Sequence, residues 1–320
     1  MRLYWLGLGR KKDIIKPMQR QSFLDEFKIA WKKPDNGLIQ IILINAIVFV
    51  LINMIRVFSS ISGSPEAYAW IINQLALPSD ISTFLIKPWT IITYFFTHES
   101  FFHVLFNMLF FFWFGKIIYE FLGNNKLINL YVLGGLLGGF LFILIYNLVP
   151  FYSDRVHLSI LMGASAGVFA VVVGAATFMP NYTFFLLFLG PIKIKYIAIF
   201  YVLLSFFNID GSNAGGELSH LGGALIGFLY VQQLKKGNDF GQPITSFINF
   251  IKSLFVRKPK IKVSYKSSDS NKSGKGRTQT KQGKNVNQDE IDAILDKISD
   301  GGYESLTKEE KQKLFNASKK

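Results

Sequence analysis

The sequence predicts an all-α integral membrane protein, a six-transmembrane-helix bundle followed by a small cytoplasmic helical tail. Half of the 320 residues are apolar, only 18% are charged, and the mean hydropathy is +0.30. Charged residues are sparse between Gly37 and Leu234 and abundant on either side of that stretch. Because soluble domains mix the two kinds more evenly, this distribution indicates a membrane core with water-exposed ends.

Six apolar stretches predict the spanning helices, each of which needs about 20 mostly apolar residues. The first begins at Gly37, and a loop of mixed polarity separates it from the second. Between the fourth and the fifth, Gly190 and Pro191 interrupt the apolar run, so residues 182–189 are predicted to form an interfacial segment. The predicted spans are residues 37–58, 100–121, 127–149, 162–179, 195–208 and 217–234.

The basic residues predict how these spans are oriented. The first 36 residues carry nine Lys or Arg, and the stretch after the sixth span is also basic. Because basic segments stay on the cytoplasmic side and six spans return the chain to that side, both termini are predicted to be cytoplasmic. We therefore expect a multi-pass protein of the cell inner (plasma) membrane. The net charge of +14 is then explained by the lipid bilayer, and no nucleic-acid partner is expected.

The composition divides the chain into four segments and restricts its chemistry. Absence of cysteine excludes disulfides and thiolate catalysis, and without an HExxH motif no metal or other cofactor is expected.

Thr307 and Glu310 have the spacing of a capping box, which predicts a short helix in the last segment, whose partner is unknown. The segments are a basic cytoplasmic one (1–36), the six-span core (37–235), a basic amphipathic stretch with a flexible linker (236–287) and a small helical module (288–320).

Three of the four histidines lie in or beside apolar spans, where ionisable groups are costly and are therefore functional candidates. His98 precedes the second span and His103 lies within it. Asn107 is four residues after His103, so these two side chains share one helix face. Two polar groups on one face point to a cavity, or alternatively form hydrogen bonds that hold helices together.

Ser165 and His220 are the candidates for a nucleophile and its base. Ser165 lies in the small-residue segment 163–167 (GASAG), which lets substrate or another backbone approach, although such segments also serve simple helix packing. His220 opens the sixth span. Gly223 and Gly227 lie on roughly the same face and would let this span press against the fourth, bringing the imidazole to the serine.

Together these residues satisfy the needs of nucleophilic catalysis by serine, namely a base within reach and donors for the developing oxyanion. His103 and Asn107 are the candidate donors. No carboxylate is obviously placed to orient His220, since Glu217 lies three residues earlier and Asp210 lies in the preceding loop. A Ser-His dyad is therefore expected in preference to a triad.

The same residues resemble the rhomboid family of intramembrane serine proteases over about residues 37–235. The resemblance implies a catalytic dyad of Ser165 and His220, an oxyanion hole that includes His103 and Asn107, and a supporting role for His98. It also implies the six-span core of bacterial members and transmembrane proteins as substrates. The matching motifs are the second-span pattern His98, His103 and Asn107, the serine motif that begins at Gly163, and the sixth-span pattern His220, Gly223 and Gly227.

Two departures from the family pattern concern the serine helix. Ala166 follows the serine where the family often has Gly, and Phe169 stands where many members have a Tyr packed on the catalytic histidine. Phe169 is four residues after Ser165, so its ring is expected to lie on the same face and pack on His220. The alternative function is a catalytically silent rhomboid-like protein that binds membrane helices. Such proteins usually lose the serine or the histidine, whereas both are present here.

Overall fold

A computed structural model of the chain describes residue 31 and residues 35–186, 190–255, 288–301 and 305–317. Contacts divide the chain into two compact units, Met1–Lys258 and Pro259–Lys320. The predictions for the basic N-terminal segment and for the linker concern residues that lie almost entirely outside the described ranges.

In its described residues, the first unit is built mainly of helices, with four short strands between them. Strands β1 and β2 pair antiparallel, with Leu77 opposite Leu161, and β3 and β4 form a second antiparallel pair. The strands are β1 Leu77–Pro78, β2 Ile160–Leu161, β3 Thr183–Leu186 and β4 Gly190–Lys193. The helices are α1 Gly37–Ile61, α2 Pro65–Leu75, α3 Ile81–Ile86, α4 Thr90–Thr93, α5 Phe101–Leu122, α6 Asn124–Leu148, α7 Ser165–Phe178, α8 Ile194–Phe207, α9 Ala214–Lys235 and α10 Gln242–Phe255.

Three of the described helices, α1, α5 and α6, are long and apolar enough to cross a membrane. Helices α7 and α8 are apolar but have 14 residues each, which gives a rise of about 21 Å against a hydrocarbon thickness of about 30 Å. Helix α9 has 22 residues and carries Glu217, Ser219 and His220 among its apolar positions. The six-span count of the sequence analysis therefore stays a prediction, while a helical bundle with long apolar helices is established.

Glycines bring α9 into close contact with α6 and α7. A Cβ atom added to Gly223 would lie 2.0 Å from the carbonyl oxygen of Ala166, and one added to Gly227 would lie 2.3 Å from that of Ala170. On the other side, a Cβ on Gly138 of α6 would come within 2.7 Å of the Ser219 carbonyl oxygen. Small residues permit this approach of helix backbones. The predicted packing of the sixth span against the fourth is confirmed.

A group of polar residues, here called the Asp239 cluster, joins the C-terminal end of α9 to α6 and α10. The Tyr230 hydroxyl donates to Asp239 Oδ1 at 2.7 Å and accepts from Asn129 Nδ2 at 3.2 Å. Thr245 of α10 donates to Asn129 Oδ1 at 3.0 Å, and Lys126 forms an ion pair with Asp239. Helix α10 is thus bonded to the bundle, although it was predicted to belong to a separate segment, 236–287, together with the flexible linker. The cluster consists of Lys126, Asn129, Tyr230, Asp239 and Thr245.

The second unit contains α11 (Gln288–Gly301) and α12 (Lys308–Ala317). The Thr307 N–H donates to Glu310 Oε2 at 2.7 Å, and the Glu310 N–H donates to Thr307 Oγ1 at 3.3 Å. The predicted capping box is therefore confirmed. The backbone hydrogen bond from Thr307, followed by the ammonium of Lys297, lowers the pKa of the Glu310 carboxyl to about 2. Negative charge at a helix N-terminus is favourable, which explains a glutamate at this position.

Candidate active site

One cavity collects the four residues that the sequence analysis assigned to chemistry. It has a volume of about 410 Å³ and lies among α5, α7 and α9. The cavity is lined by Phe102, His103, Phe106, Asn107, Met162, Ser165, Phe169, Asn213, Gly216 and His220. Neither of the other two histidines lines it: His98 lies behind its wall, and His157 has a side chain that is 81% exposed and 3.5 Å from Asp80.

Ser165 is the first residue of α7, and a non-helical segment delivers it to the cavity. The Gly163 N–H donates to the Tyr94 carbonyl oxygen at 3.0 Å, and the Ala164 N–H donates to His98 Nε2 at 3.2 Å. Irregular backbone inside a membrane protein needs such internal partners, because no water is present to replace them. The fourth span was predicted to begin at Met162, and the helix begins three residues later because this segment bonds to other parts of the chain.

Gly163 is required at its position for two separate reasons. Its φ of +125° is one that side chains rarely adopt. A Cβ atom there would also lie 2.7 Å from Cε1 and 2.8 Å from Nε2 of His103. Any larger residue would therefore displace His103 and strain the turn into Ser165.

His98 is fully buried and supports the cavity wall from behind. Its Nε2 lies 3.2 Å from both the Ala164 N–H nitrogen and Asn107 Nδ2. A backbone N–H is always a donor, so Nε2 carries the lone pair and Nδ1 carries the proton. The ring also packs edge-to-face on His103, with ring centroids 5.0 Å apart. His98 therefore links the second-span donors to the segment that precedes Ser165.

Three hydrogen-bond donors can serve an anionic oxygen beside Ser165. The Asn107 amide has two hydrogens, of which one is directed to His98 and the other remains available. His103 lines the same cavity wall. Helix α7 begins without a side-chain cap, so the Ser165 N–H of its first turn has no intrahelical partner. The helix dipole adds to the preference for negative charge at this point.

The His220 ring is held between α7 and α8. The Phe169 ring stacks on it, with centroids 4.3 Å apart and planes 8° from parallel. This is the contact that the four-residue spacing from Ser165 predicted. Among the described residues no hydrogen bond joins Ser165 to His220, and such bonds are commonly long before substrate binds.

The Nδ1 edge of the His220 ring has two polar neighbours. Nδ1 lies 3.2 Å from Glu217 Oε2 and 3.2 Å from Ser205 Oγ. No carboxylate was obviously placed to orient His220 by sequence, but Glu217 does contact it, because residues three apart on a helix lie on one face. The spacing of Glu217 and His220 was a sufficient signal. Ser205, which is 2% exposed, lies on the separate helix α8, and no sequence pattern connects it to His220.

The bundle and its cavity define a helical membrane protein in which a serine, two histidines and an amide meet inside the fold. Comparison with known families identifies it further. A model described as the Rhomboid domain matches residues 86–236, which identifies this part of the chain as a rhomboid domain. This confirms the family predicted from the motifs, although α1 lies outside the matched range. Residues 278–320 match a family of unknown function, DUF6576. No curated protein matches the chain.

Proposed function

We propose that this protein is an intramembrane serine endopeptidase with Ser165 as nucleophile and His220 as general base. The observation that carries the proposal is the single cavity that Ser165, His220, His103 and Asn107 line together. These residues come from three different helices, and simple helix packing does not require them to converge on one space. Rhomboid proteins are generally serine proteases of the membrane, which supports the same conclusion.

In the proposed reaction, Ser165 Oγ attacks the scissile carbonyl carbon while His220 accepts the hydroxyl proton. The carbonyl oxygen becomes an oxyanion, stabilised by the Ser165 N–H and by the side chains of Asn107 and His103. His220 then donates its proton to the leaving amine, and the acyl-enzyme forms. A water molecule, deprotonated by His220, attacks the ester and regenerates Ser165.

The substrates of the proposed enzyme are transmembrane segments of other membrane proteins. A folded helix resists attack because its carbonyl groups are hydrogen-bonded and shielded. Good substrates should therefore carry small or helix-breaking residues near the end of the span that reaches the cavity. We further propose six spans in the inner membrane, with both termini cytoplasmic, in agreement with the basic residues that flank the core.

The decisive experiment is labelling of the protein in membranes with a serine-directed fluorophosphonate, which reports an activated serine without a known substrate. Wild type is expected to be labelled and Ser165→Ala is not. Ser59→Ala removes a buried serine of α1 that is not among the cavity-lining residues, and it should be labelled as wild type is. Equal labelling of wild type and Ser165→Ala would refute the proposal. A folded wild type without labelling would favour the alternative, a silent protein that binds membrane helices.

A further inference from the structure

The Nδ1 edge of the His220 ring forms a three-residue cluster with Glu217 and Ser205. Both the carboxylate oxygen and the hydroxyl oxygen lie 3.2 Å from the same ring nitrogen, Nδ1. The His220 and Glu217 side chains are 15% and 18% exposed. An exposed ion pair between neighbours on a helix contributes little to stability. This pair is mostly shielded, and its histidine lines the cavity.

The chemistry of the two neighbours determines which ring nitrogen carries the proton. A carboxylate only accepts hydrogen bonds, so its contact with Nδ1 is a hydrogen bond only when Nδ1 is protonated. A hydroxyl either donates or accepts. If Ser205 donated to Nδ1, the proton would move to Nε2, and that nitrogen could no longer accept a proton from Ser165. Glu217 favours the tautomer that works as a base, and Ser205 alone does not.

Glu217 lies where negative charge is favoured and where neighbouring side chains fix the orientation of its carboxylate. It lies in the first turn of α9, where the helix dipole favours negative charge. Its side chain also interacts with those of Ser205 and Asn213. The described titratable groups that act on His220 are thus Glu217 of its own helix and His103 of α5. Of these two titratable groups, Glu217 is the one that contacts Nδ1.

We propose that Glu217 is a positioning residue, whose carboxylate accepts the Nδ1 proton and holds His220 in the tautomer with a free Nε2. The catalytic consequence rests on the proposed function, whereas the tautomer is a property of the resting protein. The proposal replaces the expected dyad with a Ser165–His220–Glu217 triad. The Ser205 hydroxyl oxygen is the second oxygen within 3.2 Å of His220 Nδ1, beside the Glu217 carboxylate.

The first test measures the tautomer directly by nitrogen-15 NMR of histidine-labelled protein at about pH 8, where an ordinary imidazole is neutral. The chain has four histidines, and the His220 signals are assigned by their loss in His220→Asn. Wild type is expected to have a protonated Nδ1, and Glu217→Gln, whose amide can donate to Nδ1, to shift the proton towards Nε2. Ser205→Ala should leave Nδ1 protonated. A wild type with the proton on Nε2, or a Gln variant with an unchanged tautomer, overturns the proposal.

The second test measures kcat and KM on a model transmembrane substrate. Glu217→Gln should lower kcat on the order of 10²-fold, less than the roughly 10⁴-fold loss of an isolated triad carboxylate, because the Ser205 hydroxyl can still accept the Nδ1 proton in a fraction of the molecules. KM should stay within about threefold, since Glu217 acts on the base and not on substrate binding. Glu217→Asp keeps a carboxylate and should recover to within about tenfold of wild type. Glu66→Gln, a first-turn glutamate of α2, is the matched control with unchanged kinetics.

The two proposals fail in different ways. If wild type neither cleaves nor reacts with the fluorophosphonate, the proposed function fails, and the tautomer measurement alone decides the role of Glu217. If wild type cleaves and Glu217→Gln keeps both its tautomer and its kcat, the role of Glu217 fails and the protease stands. A fall in kcat without a tautomer shift, or a shift without a fall, also overturns the positioning role. Should Glu217→Gln not fold, the wild-type tautomer and Glu217→Asp still decide.

Discussion

Both ends of α9 carry buried polar residues, but the two ends differ in how much hydrogen-bonding capacity is left unused. At the N-terminal end, Glu217 and Ser205 occupy one nitrogen of His220, and the rest of the ring faces a cavity. At the C-terminal end, the polar atoms of the Asp239 cluster bond to one another. A hydrogen-bonding group with spare capacity facing open space can act on a substrate, whereas a saturated one holds helices together. Within one helix, the N-terminal end therefore has the properties of a functional site, and the C-terminal end those of a helix-packing contact.

The largest effect is expected when either member of the reacting pair, Ser165 or His220, is removed. Ser165→Ala and His220→Ala should each reduce cleavage of a model transmembrane substrate on the order of 10⁴-fold or more, because the members of such a site act as a unit. Ser165→Ala should unfold in detergent close to wild type, whereas His220→Ala also leaves Glu217 without its partner and should unfold at a lower temperature while still folding. Substantial cleavage by a folded Ser165→Ala protein would contradict the assignment.

The second prediction separates a donor from its support. Asn107→Ala should slow turnover about 10²-fold, the effect of losing one oxyanion donor. His98→Ala should act mainly by lowering stability, because it leaves the Ala164 N–H without an acceptor. Asn45→Ala is the control, since Asn45 is also buried but bonds to Tyr131 outside the cavity. If Asn107→Ala and Asn45→Ala cleave equally well, Asn107 is only a helix-packing residue.

The third prediction concerns the ring that stacks on His220. Phe169→Leu should reduce the initial cleavage rate about tenfold, because an aromatic face stabilises the imidazolium that forms during attack. Phe169→Tyr keeps the ring and should retain activity. Phe111→Leu removes a buried ring that packs on Tyr131 instead, so it should lower thermal stability without a comparable loss of rate. A Phe169→Leu enzyme as fast as wild type would reduce Phe169 to packing alone.

The fourth prediction tests the Asp239 cluster at the C-terminal end of α9. Asp239→Asn should lower the free energy of unfolding by about 1 to 2 kcal/mol and leave the rate per folded molecule unchanged. Burial by itself raises the pKa of the Asp239 carboxyl, but hydrogen bonds from Lys126 and Tyr230 outweigh it and lower the pKa. Because the pKa is lowered in the folded protein, the Asp239 carboxylate stabilises the fold fully at pH values above its pKa in the unfolded chain, about 3.9. This stabilisation is lost as the pH falls through the pKa of the folded protein.

This pH dependence provides its own check. Wild type should lose more stability than Asp239→Asn when detergent unfolding is followed below about pH 4. Parallel curves for the two proteins would show that the ion pair with Lys126 contributes nothing.

The smallest effect is expected from truncation. A chain that ends at Lys258 keeps the Asp239 cluster and should be labelled by the fluorophosphonate as wild type is. A chain that ends at Lys236 loses Asp239 and Thr245, so it should unfold at lower temperature while keeping the cavity residues. Equal stability of the two truncated chains would show that α10 adds nothing to the core. If the chain that ends at Lys258 inserts normally into membranes but is not labelled, the segment after Lys258 is part of the catalytic unit.

Helix positions were largely predictable, and the exceptions have a local cause. Helices α1, α5 and α6 end within about three residues of the predicted spans, because long apolar runs are governed by hydrophobicity alone. Helix α7 begins at Ser165 and not at Met162 because Tyr94 and His98, both distant in sequence, take the N–H groups of Gly163 and Ala164. Hydropathy contains no information about such partners.

The rhomboid resemblance, the helix faces and the approach of α9 to α7 were all predictable from sequence alone. Spacings of three and four residues placed His103 with Asn107 and Ser165 with Phe169, since helix geometry fixes those relations within one segment. Tertiary structure alone decided that Ser205 of α8 meets Nδ1 of His220, and that His98 holds both Asn107 and Ala164. These contacts join separate helices, and the depth and rotation at which helices pack depend on the whole bundle and not on any one segment.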